Sequence, residues 1–166
     1  KDVMAYLRFI HNPLNYLSFK RIANIPPRGL GKKALNRIEE ALKASPSTPL
    51  TEILQEASHS SALGGSGGSS KLRSFLCLIE SLRNENGTVS GMIEAILNRV
   101  GYEAYLMKTY PDAMRRVANL MQLVSIARRF EQSPGTDLSE FLLQSGLSAV
   151  DPEAEGGSSQ NVRLMT

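Results

Sequence analysis

Ile25-Pro26-Pro27-Arg28-Gly29-Leu30-Gly31-Lys32-Lys33-Ala34-Leu35 carries residue types whose order prescribes chemistry. Two prolines stop one helix, and a second helix opens at once with a pair of lysines. Gly29 and Gly31 flank a single apolar residue, Leu30; glycine permits left-handed backbone angles and leaves no side chain in the way of a close approach. Leu30 is expected to plug the groove between the two helices. The free N–H groups at the start of the following helix then point outward. With the helix dipole and two ammonium groups they form a place for a phosphate. That is the logic of a helix–hairpin–helix turn, which grips a nucleic-acid backbone and ignores the bases. The competing reading is a tight turn between packed helices with solvated lysines, since short Gly-x-Gly turns are common.

The surrounding charge favours an anionic partner. The 166 residues carry 19 basic and 16 acidic side chains, a formal net charge of +3. Residues 1–45 hold nine of the bases and three of the acids, so the remainder is net acidic. Between positions 20 and 37 there are six bases (Lys20, Arg21, Arg28, Lys32, Lys33, Arg37) and no acid. Such a block repels itself unless an anion neutralises it, and a phosphate backbone is the obvious candidate. A solvated basic helix face is the alternative. The predicted contact set is Arg28, Gly29, Leu30, Gly31, Lys32 and Lys33, with Lys20, Arg21 and Arg37 as flanking charge.

Other chemistries find little support. A Walker loop needs a glycine five residues before its Gly-Lys pair and Ser or Thr after it; around Gly31-Lys32 those positions are Pro26 and Lys33. One cysteine, Cys77, permits no internal disulfide, and two histidines, His11 and His59, offer little for a metal or a catalytic triad. Glu80, Glu94 and Glu140 fall on separate helices with nothing pairing them as acid and base. No catalytic residue, metal site or resident cofactor is expected, and the chain is not expected to be an enzyme by itself. No apolar run approaches the ~18 residues of a membrane span, and no signal pattern opens the chain, so a cytoplasmic setting without membrane contact is expected.

The elements that must position the turn read as helices almost throughout. The spacing predicts helices over 2–11, 15–23, 32–44, 50–57, 72–83, 88–100, 102–110, 112–132 and 137–144, with Asp2, Thr88 and Thr136 or Asp137 as caps. Leu17, Phe19 and Ile22 are expected to be buried in the second. Cys77 and the heptad-spaced Met107, Met114 and Met121 are expected in the core. The fold class is thus all-α, a compact multi-helix body over 1–148. Residues 58–70, rich in Gly and Ser, read as a flexible loop, natural or introduced. Residues 149–161 read as an acidic Gly/Ser linker, and 162–166 as a short strand that lacks a partner here and hints at a larger parent.

Several segments resemble one family in order. Lys1-Asp2-Val3-Met4-Ala5-Tyr6-Leu7-Arg8 resembles the segment leaving the second RecA-like domain of UvrD/PcrA/Rep-type superfamily 1 DNA helicases. The stretch from Phe19-Lys20-Arg21-Ile22 through Arg28-Gly29-Leu30-Gly31 resembles their Arg-Gly-Ile-Gly region, with Leu30 for isoleucine. Arg116-Val117-Ala118-Asn119-Leu120-Met121-Gln122-Leu123 and Leu138-Ser139-Glu140-Phe141-Leu142 are similar to two further family helices. Val162-Arg163-Leu164-Met165-Thr166 looks like the strand entering a motor motif. The resemblance implies the accessory domain called 2B, a helical body whose glycine turn contacts duplex DNA ahead of the fork. It implies that ATP and Mg belong to the parent's motor domains, which would be its partners, as would repair proteins. Unwinding of 3′-to-5′ polarity would likewise be a property of the whole parent. An autoinhibitory or partner-docking module is the alternative role.

Overall fold

The computed structural model describes residues 1–60, 63, 66–84, 87–133 and 135–147, and the regular elements among them are nine α-helices. The all-α expectation holds. The residues predicted as a linker and a terminal strand, 149–166, lie outside the described residues.

α1 (Asp2–His11) is the centre of the fold. Val3, Ala5, Tyr6, Leu7, Phe9 and Ile10 are all buried, so the helix is apolar on nearly every side. A helix of that kind must be surrounded. It packs against α2 (Tyr16–Ile22), α5 (Ser66–Arg83), α6 (Val89–Arg99) and α9 (Leu138–Leu147). Phe9, Phe19 and Phe75 join α1, α2 and α5 through ring contacts of 5.7–6.4 Å. α3 (Lys32–Ala44) lies on α4 (Leu50–His59), which packs on α5. At the other end α6, α7 (Tyr102–Thr109) and α8 (Ala113–Phe130) pack on one another.

Helix ends follow local chemistry. Asn15 caps α2 by accepting the Ser18 amide at 3.0 Å. Thr88 caps α6 through the Gly91 amide at 3.2 Å, and Gly101 leads into α7 with φ 68°. Asp137, not Thr136, accepts the Glu140 amide at 2.8 Å. Asp2 does not cap α1; it is the first helical residue, and its carboxylate instead holds Arg21 Nε at 2.7 Å and Tyr102 Oη at 2.7 Å.

Three burial expectations fail, each for the same reason: periodicity identifies a face without saying where it points. Leu17 is 77% exposed, because the short α2 turns Ser18, Phe19 and Ile22 inward. On α5 the inward stripe is Leu72, Phe75, Ile79 and Leu82, which leaves Cys77 on the exposed side. On α8 the inward stripe runs through Ala113, Val124 and Ala127, so Met114 and Met121, one residue round from it, face solvent, as does Met107 on α7.

The span 58–70, read as a loop, is helical at both of its ends. Residues 58 and 59 close α4, and residues 66–70 form the first turns of α5. Glycine disfavours a helix by ~1 kcal/mol per residue, so packing must compensate. It does so locally: Ser69 is buried and its hydroxyl donates to the Ser60 carbonyl. A Cβ on Gly68 would come within 2.7 Å of the Leu63 carbonyl oxygen, so only glycine lets the start of α5 approach that backbone.

Candidate nucleic-acid interface

The turn between α2 and α3 is built from inside outward. Leu30 is fully buried and belongs to the same core as Phe19, Ile22 and Ile38. It pins the turn as the sequence predicts. Gly29 has φ 76°, a left-handed conformation that a side chain would strain. Gly31 stands at the N-cap of α3 with no side chain capping it, and the amides of Ala34 and Leu35 both return to its carbonyl. The amides of Lys32 and Lys33 precede that ladder, at the uncapped positive end of the helix dipole. Gly29, Gly31, Lys32 and Lys33 are all exposed. Among the described residues neither lysine has an ion-pair partner.

The flanking cations behave differently. Arg28 turns inward: Nη1 donates to the carbonyls of Ile22 (2.9 Å), Ile25 (3.2 Å) and Pro26 (3.3 Å), and Nη2 to Tyr6 Oη (2.6 Å). Its guanidinium also lies 5.0 Å from the Phe75 ring centroid. Tyr6 in turn donates to the Ile25 carbonyl at 2.6 Å, and burial raises its pKa against the opposing pull of Arg28. Arg28 therefore clamps the Pro26-Pro27 bend to α1. Lys20 is held by Glu39 at 2.8 Å, and Arg21 by Asp2 at 2.7 Å. Arg37 is exposed on α3.

Glu39 collects three partners, Lys20 at 2.8 Å, Tyr16 Oη at 3.0 Å and Lys43 at 3.3 Å. Those hydrogen bonds, Lys20's first, pull its pKa down to about 2. Tyr16, partly desolvated and bonded to that carboxylate, is pushed up to about 12. The acid-free block at 20–37 is thus partly neutralised from just beyond its end.

Two contributors escaped the sequence reading. Asn24 Oδ1 accepts the amides of Arg28 (2.7 Å) and Gly29 (3.0 Å), so these two N–H groups of the turn are satisfied internally. The habit of Asn side chains to capture nearby amides is the signal that could have found it. Lys71, on α5, lies against Gly29, and no local spacing rule connects them. Elsewhere, His59 meets Arg73 Nη2 at 3.3 Å, and His11 is exposed in the last turn of α1. Among the described residues no cluster of three or more His, Cys, Asp or Glu could hold a metal, and no helix is long and apolar enough to cross a membrane.

A family profile described as the UvrD-like helicase C-terminal domain matches residues 1–166. The chain is 31% identical to the ATP-dependent DNA helicase PcrA of Bacillus subtilis over 176 residues, covering 100% of this chain and 23% of that protein. It is 30% identical to DNA helicase II of Haemophilus influenzae over 173 residues, again 100% of this chain and 23% of that protein. It is 30% identical to the ATP-dependent DNA helicase srs2 of Schizosaccharomyces pombe over 185 residues, 100% of this chain and 20% of that protein. The chain thus spans less than a quarter of the length of these relatives.

Proposed function

Because the chain belongs to the family of UvrD-like helicase C-terminal domains, we propose that it is the duplex-binding accessory domain, of the 2B type, within an ATP-dependent DNA helicase. In this reading the parent's motor domains bind ATP and Mg and drive 3′-to-5′ unwinding, and this chain has no catalytic step of its own. The observation that carries the proposal is the pair Lys32 and Lys33, exposed at the uncapped start of α3 and without an ion-pair partner among the described residues. Gly31 keeps the approach open, with nothing within 4 Å of where its Cβ would stand, and the buried Leu30 holds the turn in the helix–hairpin–helix manner. Lysine ammoniums and helix-start amides recognise phosphate oxygens, which are the same at every base pair, so binding carries no sequence preference. Arg28 serves as the clamp behind the turn. Lys20 and Arg21, held by Glu39 and Asp2, and Arg37 on α3 flank this set.

The test is duplex binding followed by fluorescence anisotropy across a salt series. The isolated domain should bind with Kd in the ~10⁻⁴–10⁻⁶ M range of non-specific contacts. Lys32→Glu combined with Lys33→Glu should weaken binding and lower the magnitude of the log K against log salt slope by about 2, one unit for each phosphate lost. Salt-sensitive binding that survives the double reversal would remove the turn from the interface.

A second reading, docking of the motor domains or a repair protein, draws on Met107, Met114 and Met121, which are 53%, 73% and 47% exposed. Methionine adapts to irregular partner surfaces. In that reading Met114→Lys disrupts docking or autoinhibition in the full-length parent while duplex binding by the domain is unchanged.

A further inference from the structure

Gly29 also borders the end of a side chain from another helix. A Cβ built on it would lie 2.6 Å from Lys71 Nζ, 3.1 Å from Cε and 3.3 Å from Cδ. The end of the Lys71 side chain is therefore laid across the bare face of the glycine. Lys71 comes from α5, and the start of that helix is fixed by the Gly68 contact with Leu63 and by buried Ser69 and Leu72. The residue is exposed, and among the described residues its ammonium has neither a hydrogen-bond nor an ion-pair partner. Nothing local accounts for a cation placed there, beside a block already carrying Lys32 and Lys33.

We propose that Lys71 is a third phosphate-binding cation of the α2–α3 turn, supplied from α5 across Gly29. The inference rests on the duplex-binding reading above and extends it to a residue outside the basic block. Gly29 and Gly31 are two residues apart, so their Cα atoms are separated by at most ~7 Å. With the ammonium against Gly29, Lys71 and the start of α3 lie within about one Debye length at physiological salt. Successive phosphates of one strand, spaced on a similar scale, can be met by the two sides of the turn at once. Lys71 touches the phosphate backbone only, so it adds affinity and salt dependence without sequence preference.

The experiment compares Lys71→Gln and Lys71→Arg with the unaltered chain in duplex titrations over a salt series, alongside Lys32→Glu/Lys33→Glu and thermal melting of every variant. Lys71→Gln should lower the magnitude of the salt slope by about 0.9 and weaken binding roughly five- to ten-fold near 0.1 M salt. Lys71→Arg should keep the slope, and both should melt with the unaltered chain. A Lys71→Gln slope equal to that of the unaltered chain, while the double reversal abolishes binding, overturns the role of Lys71 and leaves the turn assignment standing. A lowered melting point with an unchanged slope overturns it equally, since a structural role moves stability alone. If the double reversal itself changes nothing, the duplex-binding reading falls and this inference falls with it.

Discussion

On α8, Arg115 reaches Asp112 at 2.8 Å and Arg116 reaches it at 2.7 Å, while Arg128 is paired across to Glu94 on α6. Arg116 is further stacked 4.0 Å from the Tyr110 ring centroid, and its hydrogen bond, followed by that of Arg115, holds the Asp112 carboxyl below its ordinary range. At the start of α3, Lys32 and Lys33 reach no acid among the described residues. Both stretches are basic, yet three of the four arginines on α8 reach an acid within the domain, while the two lysines that open α3 reach none among the described residues. Self-contained pairs on a surface contribute little to stability and offer little to a ligand. Open cations beside uncapped amides repel one another and remain available to an anion. The difference lies in the availability of charge, and a count of bases cannot show it.

The strongest way to break this contrast is to remove what keeps the lysines in place. Leu30 is fully buried, and its core neighbours include Phe19, Ile22 and Ile38. Leu30→Ala should cost ~2–5 kcal/mol of folding stability in urea unfolding, the usual range for a large-to-small change in a packed core. Duplex affinity should fall with it, although no charge has changed. Unaltered stability would mean that the turn is held by something other than its plug.

Arg28 sharpens the contrast from the opposite side. By sequence it belongs to the contact set; in the fold its guanidinium serves three carbonyls and Tyr6. Arg28→Met keeps an apolar stem against Phe75 and removes the donors. It should cost ~1–3 kcal/mol, the range for leaving buried acceptors unsatisfied. The salt slope of duplex binding should not move. A slope reduced by about one unit would put Arg28 back on the phosphate.

How much of this was legible in the residues depends on distance along the chain. The helix order, the stop at Pro26-Pro27 and the plug at Leu30 are local signals, and each appears in the fold. Asn24, five residues before Gly29, was within reach of the same reasoning. Glu39 pairs with Lys20 across α2 and α3, and Lys71 meets Gly29 from α5; both contacts follow from packing, which no spacing rule encodes. The helical start of α5 escaped for a similar reason. A run of Gly and Ser reads as a loop by propensity, and the packing that offsets it, buried Ser69 bonded to Ser60 and Gly68 set close against Leu63, lies beyond any local rule. The outward methionines show the remaining gap: a heptad names a face, and the neighbouring helices decide whether it is covered.

The smallest effect tests the comparison through an acid. Glu39, which has an ordinary pKa of 4.5, is held near about 2 by hydrogen bonds from Lys20, Tyr16 and Lys43, and it is partly exposed. A folded-state pKa below the unfolded value means that the carboxylate favours the folded chain above pH 4.5 and that this contribution fades as pH falls toward 2. Glu39→Gln should therefore flatten the fall of Tm between pH 4.5 and 2 relative to the unaltered chain, by a modest amount because solvent screens the cluster. At neutral pH the same change frees Lys20 on α2, the helix that leads into the turn. If availability of charge is what separates the two basic regions, the salt slope should then steepen by up to about 0.9. Asp112→Asn, which frees Arg115 and Arg116 on α8, should leave the slope where it was. Equal slopes in both variants would mean that releasing a cation near the turn is no different from releasing one elsewhere, and the contrast would have to rest on the α3 amides alone.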